Sequence, residues 1–407
     1  MRYPSTPQRL AGGSGTTYMV VGTLIAAVAA YLFQLVAGRV LGPTEFAPIT
    51  VLWTIQFLVF TTVFIPMEQL TIRRLNAAVA FAAPWRLFLW VIGVAVVASV
   101  AFTALTLDQL FGGDSVYVPI TAVLILAYGG FALGRGFLAG RGRYREHGLS
   151  TLTESVLRLV LAVALLAAGA GAPGLAWSLV AGALVVWLWR PFRGERSLDA
   201  GRTPERGTGG ALARFVTANG ASQTILAAGP LVVGALGARP AEVSVFFETT
   251  LLFRAPLTVA YNLISRVLPP FTRMVERGEA ATLRRWAARI GAGGVALAGL
   301  GYAGGLVAGP AMVEILLGAE FRPSAALAAY AAAGMAIATV ALFAQQMLIA
   351  MQATTVLAAS WLAGLVVAAA VIWIGGDDAS LRVARAFLAG EAVAFVGIIT
   401  AVTTRRV

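Results

Sequence analysis

Long runs of apolar residues, each about the length of one bilayer crossing and separated by short polar turns, dominate the chain. A helix needs about 20 mostly apolar residues to cross the hydrocarbon. Such runs occur at 17–37, 47–65, 88–107, 117–138, 150–170, 174–190, 212–235, 242–264, 288–309, 324–350, 354–375 and 383–402. The pattern predicts an all-α integral membrane protein of about twelve transmembrane helices. The weakest division lies between the tenth and eleventh runs, where only the uncharged stretch Met351 to Thr355 separates them. The first run is full length and no small-residue cleavage site follows it, so it reads as a true span rather than a cleaved leader. The longest polar stretch, PFRGERSLDAGRTPERGTGG at 191–210, divides the chain into an N-terminal lobe of six helices (1–190), a cytoplasmic linker (191–210) and a C-terminal lobe of six (211–407). A faint echo crosses that divide: Leu41-Gly42 followed by Glu45 in the first half, Leu236-Gly237 followed by Glu242 in the second. Equal span numbers in parallel orientation make a duplicated six-helix unit the better account. Two such bundles would enclose a cavity at mid-membrane.

Composition agrees and narrows the chemistry. Of 407 residues, 59% are hydrophobic and 12% charged, against roughly a quarter charged in soluble domains. Cysteine is absent and His147 is the only histidine. Disulfides, thiolate sites and His-clustered metal sites are therefore excluded, and a serine–histidine relay nearly so. No cofactor is expected. All 30 cationic residues are arginine and the net charge is +12. In a soluble protein that balance would suggest nucleic acid; here the charge lies in short turns between apolar runs, where it anchors the inner face of a membrane. Arg73, Arg74, Arg141, Arg143, Arg145, Arg190, Arg193, Arg284, Arg285, Arg405 and Arg406 then face the cytoplasm, with both termini on that side. Gly134 to Gly140 is rich in glycine but ends a span and follows no strand, so it is no nucleotide loop.

The segment 276–290 carries Leu283, Trp286 and Ile290 at helical spacing. It reads as an amphipathic helix on the inner leaflet or as an extension of the ninth span. Within that span Gly301, Gly305 and Gly309 recur every four residues, which suits close helix packing, with a hinge as the alternative.

Charges inside the apolar runs cost roughly 2.5–3.5 kcal/mol each on insertion scales and usually have a task. Five are candidates: Glu154 and Arg158 in the fifth run, Glu248 and Arg254 in the eighth, and Glu391 in the twelfth. Glu154 and Arg158 are four apart and share a helix face, so they form either a neutralising pair or a cavity site with the guanidinium released to an anion. Glu248 and Arg254 cannot pair on one face, and each needs a partner elsewhere. Glu391, among small residues, is a lock between helices, a proton site for coupling, or an interfacial group. Gln34, Asn262, Gln345 and Gln346 either line the same space or join helices by hydrogen bonds. Arginine grips phosphate oxygens bidentately and stays charged when desolvated, so a cavity holding Arg158 and Arg254 suits a phosphate or pyrophosphate.

Several stretches also resemble a known family. GRVLGPTEF at 38–46, Arg73-Arg74, RGFLAGRGRYREHG at 135–148, FRAPLTVAYNLISRVLPPFTRM at 253–274 and EILLGAEF at 314–321 are similar to polysaccharide-biosynthesis flippases of the multidrug/oligosaccharidyl-lipid/polysaccharide exporter superfamily. The resemblance implies a two-lobed, V-shaped, MATE-like transporter that turns polyprenyl-diphosphate-linked oligosaccharides from the inner to the outer leaflet of a bacterial plasma membrane. It implies alternating access, coupling to a proton or sodium ion, glycosyltransferases or a glycan polymerase as partners, and a monomer. Arg158 and Arg254 take the cavity role, with Arg39 as an outer-side candidate. The chain lacks the two extra spans of the peptidoglycan-precursor branch, and its first span lacks the acid of cation-coupled drug exporters. A drug antiporter of the same fold is the main alternative. A membrane glycosyltransferase or polymerase is weaker, because the outer loops are short.

Overall fold

The computed structural model describes residues 14–76, 85–193, 208–261, 263–376 and 378–405. Regular structure among them is entirely helical: α1 (Ser14–Val59), α2 (Ile65–Asn76), α3 (Trp85–Leu105), the single turn α4 (Leu107–Leu110), α5 (Tyr117–Gly140), α6 (Tyr144–Ala167) and α7 (Gly171–Leu184) precede the long polar stretch. After it come α8 (Thr208–Ala227), α9 (Gly229–Ala235), α10 (Pro240–Phe253), α11 (Ala255–Tyr261), α12 (Ile264–Glu276), α13 (Ala280–Leu317), α14 (Ala325–Ala350), α15 (Thr354–Ile374) and α16 (Ala379–Thr404). Nine helical stretches among the described residues are long and apolar enough to cross a membrane, or ten when the bent pair α10–α11 counts as one. The longest, Leu24–Leu75, spans 52 residues, far more than one crossing requires at 1.5 Å per residue.

Gly42 breaks that stretch. Its φ of 71° and ψ of 168° are not helical, a conformation open to glycine because it lacks Cβ. Pro43 then restarts the helix at a position where a missing N–H costs nothing. The first two expected crossings are therefore separate here. Leu236-Gly237 repeats the device, with Gly237 at φ 86° between α9 and α10, so the two turns paired in the sequence share a left-handed glycine. Most of the expected linker, 194–207, lies outside the described residues.

The boundary at Met351 is well marked: α14 stops at Ala350, Gln352 adopts φ 55°, and α15 starts at Thr354. The segment 280–290 continues α13 without interruption, so it extends the ninth crossing. A separate amphipathic helix does exist one element earlier, where the sequence reading carried the eighth run to 264 and then a loop. In α12, Phe271 is buried and Val267, Met274 and Val275 join the apolar core, while Arg266 and Arg273 are exposed.

Buried apolar residues form two large clusters. One joins Phe33, Phe46, Phe64, Phe88, Phe131 and Leu179 and reaches across to Phe246, Leu317 and Phe321. The other lies wholly within 221–402, around Phe271, Leu342, Met347, Trp361 and Phe395. Glycines close the second. A Cβ on Gly305 would stand 2.6 Å from the Ala328 carbonyl oxygen, and one on Gly301 3.1 Å from that of Ala332. The four-residue repeat therefore serves close packing of α13 on α14, since helix associations within a bilayer favour small residues. Replacing Gly305 with Leu is expected to cost about 1–3 kcal/mol through overpacking, read as a lowered unfolding midpoint in detergent. The same change at neighbouring Gly304, where a Cβ would meet nothing within 4 Å, should leave the midpoint within error.

Candidate functional site

Three local irregularities shape a central cavity. After α1 the chain forms a wide π turn at Phe60–Phe64, in which the Thr61 and Thr62 hydroxyls donate to the carbonyls of Phe57 (2.8 Å) and Leu58 (2.7 Å). Pro66 ends it, because proline has no N–H to give the carbonyl four residues back. Asn219 of α8 donates its amide to the Thr61 carbonyl at 2.8 Å and fixes the turn from across the molecule. Such turns inside helices are frequent at functional sites. The second irregularity is a 47° bend between α10 and α11. Pro256 cannot bond to the Leu252 carbonyl, and Arg254 occupies the vertex. The third is the contact of α1 with α10, where the Tyr31 hydroxyl donates to the Leu251 carbonyl at 3.2 Å.

The cavity between them measures about 730 Å³. Its wall draws on both halves of the chain: Tyr31, Trp53 and Thr61 from the first, Asn219, Arg254 and Trp361 from the second. Aromatic rings alternate with amides and hydroxyls. Among the described residues, Arg254 is the only cationic one lining it. Its guanidinium lies 4.5 Å above the Phe57 ring, a favourable cation–π placement. No carboxylate approaches it within salt-bridge distance among the described residues. Glu391 contributes the acid in the wall and acts on Arg254 through space. Gln345 lines the cavity too, its Oε1 accepting from the Trp361 indole N–H at 3.3 Å.

The remaining sequence candidates fall elsewhere. Glu154 and Arg158 form a buried salt bridge inside the first core. The Tyr128 hydroxyl donates to Glu154 at 2.6 Å, the Ser155 hydroxyl donates to its other oxygen at 2.7 Å, and the Arg158 guanidinium lies 4.5 Å over Trp53. Trp53 also lines the cavity, so one indole separates this pair from the open space. Arg158 thus stands behind the wall, tied to its own acid, and Arg254 stands in it. Arg39 is exposed in α1 three residues before the break at Gly42, donating to the Ile315 carbonyl in the last turn of α13. Gln346 turns back to the Leu342 carbonyl of its own helix at 3.0 Å. Gln34 and Glu248 are buried but outside the wall, with both amide atoms of Gln34 and Oε1 of Glu248 lacking hydrogen-bond partners. Asn262 lies outside the described residues.

Sequence reading did not single out Tyr31, Asn219, Ser222, Gln223, Thr258 or Tyr261, all of which line the cavity. A signal existed for three of them. Asn219, Ser222 and Gln223 sit at i, i+3 and i+4, one face of α8. Glu68 was missed as well. It is buried in α2 and accepts from both His147 (3.0 Å) and Arg135 (3.3 Å), forming a polar cluster clear of the cavity.

No protein-family model matches the chain. A protein of Mycobacterium tuberculosis described only as uncharacterised is 32% identical over 240 residues, covering 54% of this chain and 52% of that one. A second from the same organism is 30% identical over 249 residues, covering 58% and 55%. The chain thus spans about half the length of the curated relatives it matches. Among solved structures, one titled as the inward-facing conformation of a multidrug resistance MATE family transporter of the MOP superfamily aligns over 97% of this chain and 100% of its own, with a TM-score of 0.69 at 12% identity. An outward-facing MATE structure aligns over 95% and 96% with a TM-score of 0.55 at 14% identity. The fold is that of the MATE transporters.

Proposed function

We propose that the chain is an alternating-access membrane transporter for a lipid-linked anion, a polyprenyl-diphosphate-linked oligosaccharide turned from the inner to the outer leaflet. The observation that carries this reading is Arg254: a cation with no acid at salt-bridge distance among the described residues, held at a helix bend in the wall of a cavity that also presents aromatic rings, amides, hydroxyls and aliphatic side chains, with Glu391 as the wall's acid. A planar guanidinium fits diphosphate oxygens two at a time. Trp53, Phe57 and Trp361 give flat apolar faces for sugar rings, and Asn219, Gln223 and Gln345 offer amides to their hydroxyls. In this reading the arginine-rich end faces the cytoplasm of a bacterial plasma membrane. The protein acts as a monomer without enzymatic activity, beside the glycosyltransferases or polymerase that make and use its substrate.

A second reading keeps the fold and changes the cargo. The fold neighbours are titled multidrug transporters, and Glu391 in the cavity wall could face a cationic drug with a proton or sodium ion as the counter-substrate. Reconstitution distinguishes the two. In proteoliposomes, a fluorescent short-chain polyprenyl-diphosphate glycan is expected to become accessible to a membrane-impermeant quencher on the opposite leaflet faster than in protein-free vesicles, and to saturate. Movement of a lipophilic cationic dye with no movement of the glycan would replace the first reading by the second.

A further inference from the structure

A smaller cavity of about 250 Å³ adjoins the central one on the side of the second half. Leu226, Ala227, Phe247, Leu251 and Arg254 line both, so these five residues form a shared partition. The two spaces differ in chemistry. Behind the partition the wall is Ile225, Phe246, Leu365, Ala368, Ile372 and Phe387. Its hydroxyls are Thr224 and Thr250, and that of Thr250 is already given to the carbonyls of Phe246 and Phe247 in its own helix. The space exists because α8 stops at Ala227 and α9 begins at Gly229, with Pro230 unable to bond to the Leu226 carbonyl. Gly229 lets the Phe246 ring approach where a Cβ would stand 2.5 Å from it. On its far side, Ala369 of α15 is exposed on the apolar surface of the bundle.

We infer that this apolar chamber takes the carbons of the transported anion's hydrocarbon chain nearest its phosphate, with the phosphate held at Arg254 and the polar head in the central cavity. The inference rests on the lipid-anion reading above and adds a location for the tail. Arg254 carries the argument. Among the described residues it is the only charged one lining the chamber, and it stands at the border between polar and apolar walls. That is where the junction of an amphiphile puts its charge: a desolvated guanidinium satisfies phosphate oxygens on one side while alkyl carbons displace nothing polar on the other.

The test uses purified protein in nanodiscs and binding of inorganic phosphate, a series from ethyl to octyl phosphate, and the matching alkanols. Affinity is expected to rise about fourfold per added methylene over the first members, which is about 0.8 kcal/mol per buried CH₂ converted at about 1.4 kcal/mol per tenfold change. Ala368→Phe fills the chamber and should flatten that slope. Phe387→Ala enlarges it and should extend the rise to longer chains, so the inference remains testable if one variant fails to fold. Arg254→Gln should abolish the preference for phosphates over alkanols. A slope unchanged in both chamber variants would overturn the chamber assignment and leave the lipid-anion reading standing. Alkanols binding as tightly as alkyl phosphates, with no effect of Arg254→Gln, would overturn both and identify the chamber as a site for resident membrane lipid.

Discussion

Replacing Arg254 with Gln is expected to abolish translocation of a diphosphate-linked glycan while leaving insertion and the unfolding midpoint near those of the parent protein. The guanidinium lines the cavity with no acid at salt-bridge distance among the described residues, and Glu391 in the same wall acts on it only from farther off, so its removal breaks no ion pair. What disappears is a set of charge-assisted hydrogen bonds to phosphate, worth about 1.5–3 kcal/mol each, or one to two orders of magnitude in substrate affinity per bond. Arg254→Lys should recover part of the activity, because an ammonium restores charge but not the planar fork. Initial rates of flipping across a substrate series, paired with thermal melts in detergent, check both halves of the claim. A Gln variant that flips at the parent rate would remove Arg254 from the substrate site.

Arg158 should behave in the opposite way. Arg158→Gln is expected to cost about 3–5 kcal/mol of stability, because removing one member of a buried ion pair leaves the other uncompensated. Glu154 would keep Tyr128 and Ser155 as donors but lose its cation inside an apolar core. Changing both at once, Glu154→Leu with Arg158→Met, removes the stranded charge and should restore most of the melt. Recovery of monodisperse protein after extraction and the shift in unfolding midpoint measure this. Should Arg158→Gln melt like the parent yet fail to bind alkyl phosphate, Arg158 would move from the core to the ligand.

The contrast between these two arginines marks how far the sequence could be read. Both are single cations in apolar runs, and spacing alone made Glu154 and Arg158 partners. What spacing could not supply was the position of Trp53, which places that pair behind the cavity wall. The crossings themselves were legible because hydrocarbon thickness fixes helix length, and even the weak boundary at Met351 to Thr355 marks a real turn. Of the two readings of 276–290, the extension of the ninth span is the one the structure shows; the amphipathic helix at 264–276 was not read at all, because its two prolines, Pro269 and Pro270, weigh against a helix in sequence. The polar face of α8 escaped notice because its amides and hydroxyls are uncharged, and a search for buried charges passes over them.

At the end of the bundle away from most of the arginines, the stretch around Gly38 to Gly42 rests on the last turn of α13. A Cβ on Gly38 would stand 3.1 Å from Leu317 Cδ2, one on Gly42 3.1 Å from Glu320, and Arg39 supplies the hydrogen bond to Ile315. Glycine presents a smooth face there, with no side chain locked into a pocket opposite. Such a joint can slide apart at the cost of one polar link and a thin layer of dispersion, whereas a knob-in-hole joint would have to unpack. Bulk at position 38 would therefore act as a wedge, biasing the molecule toward shapes in which that rim is parted.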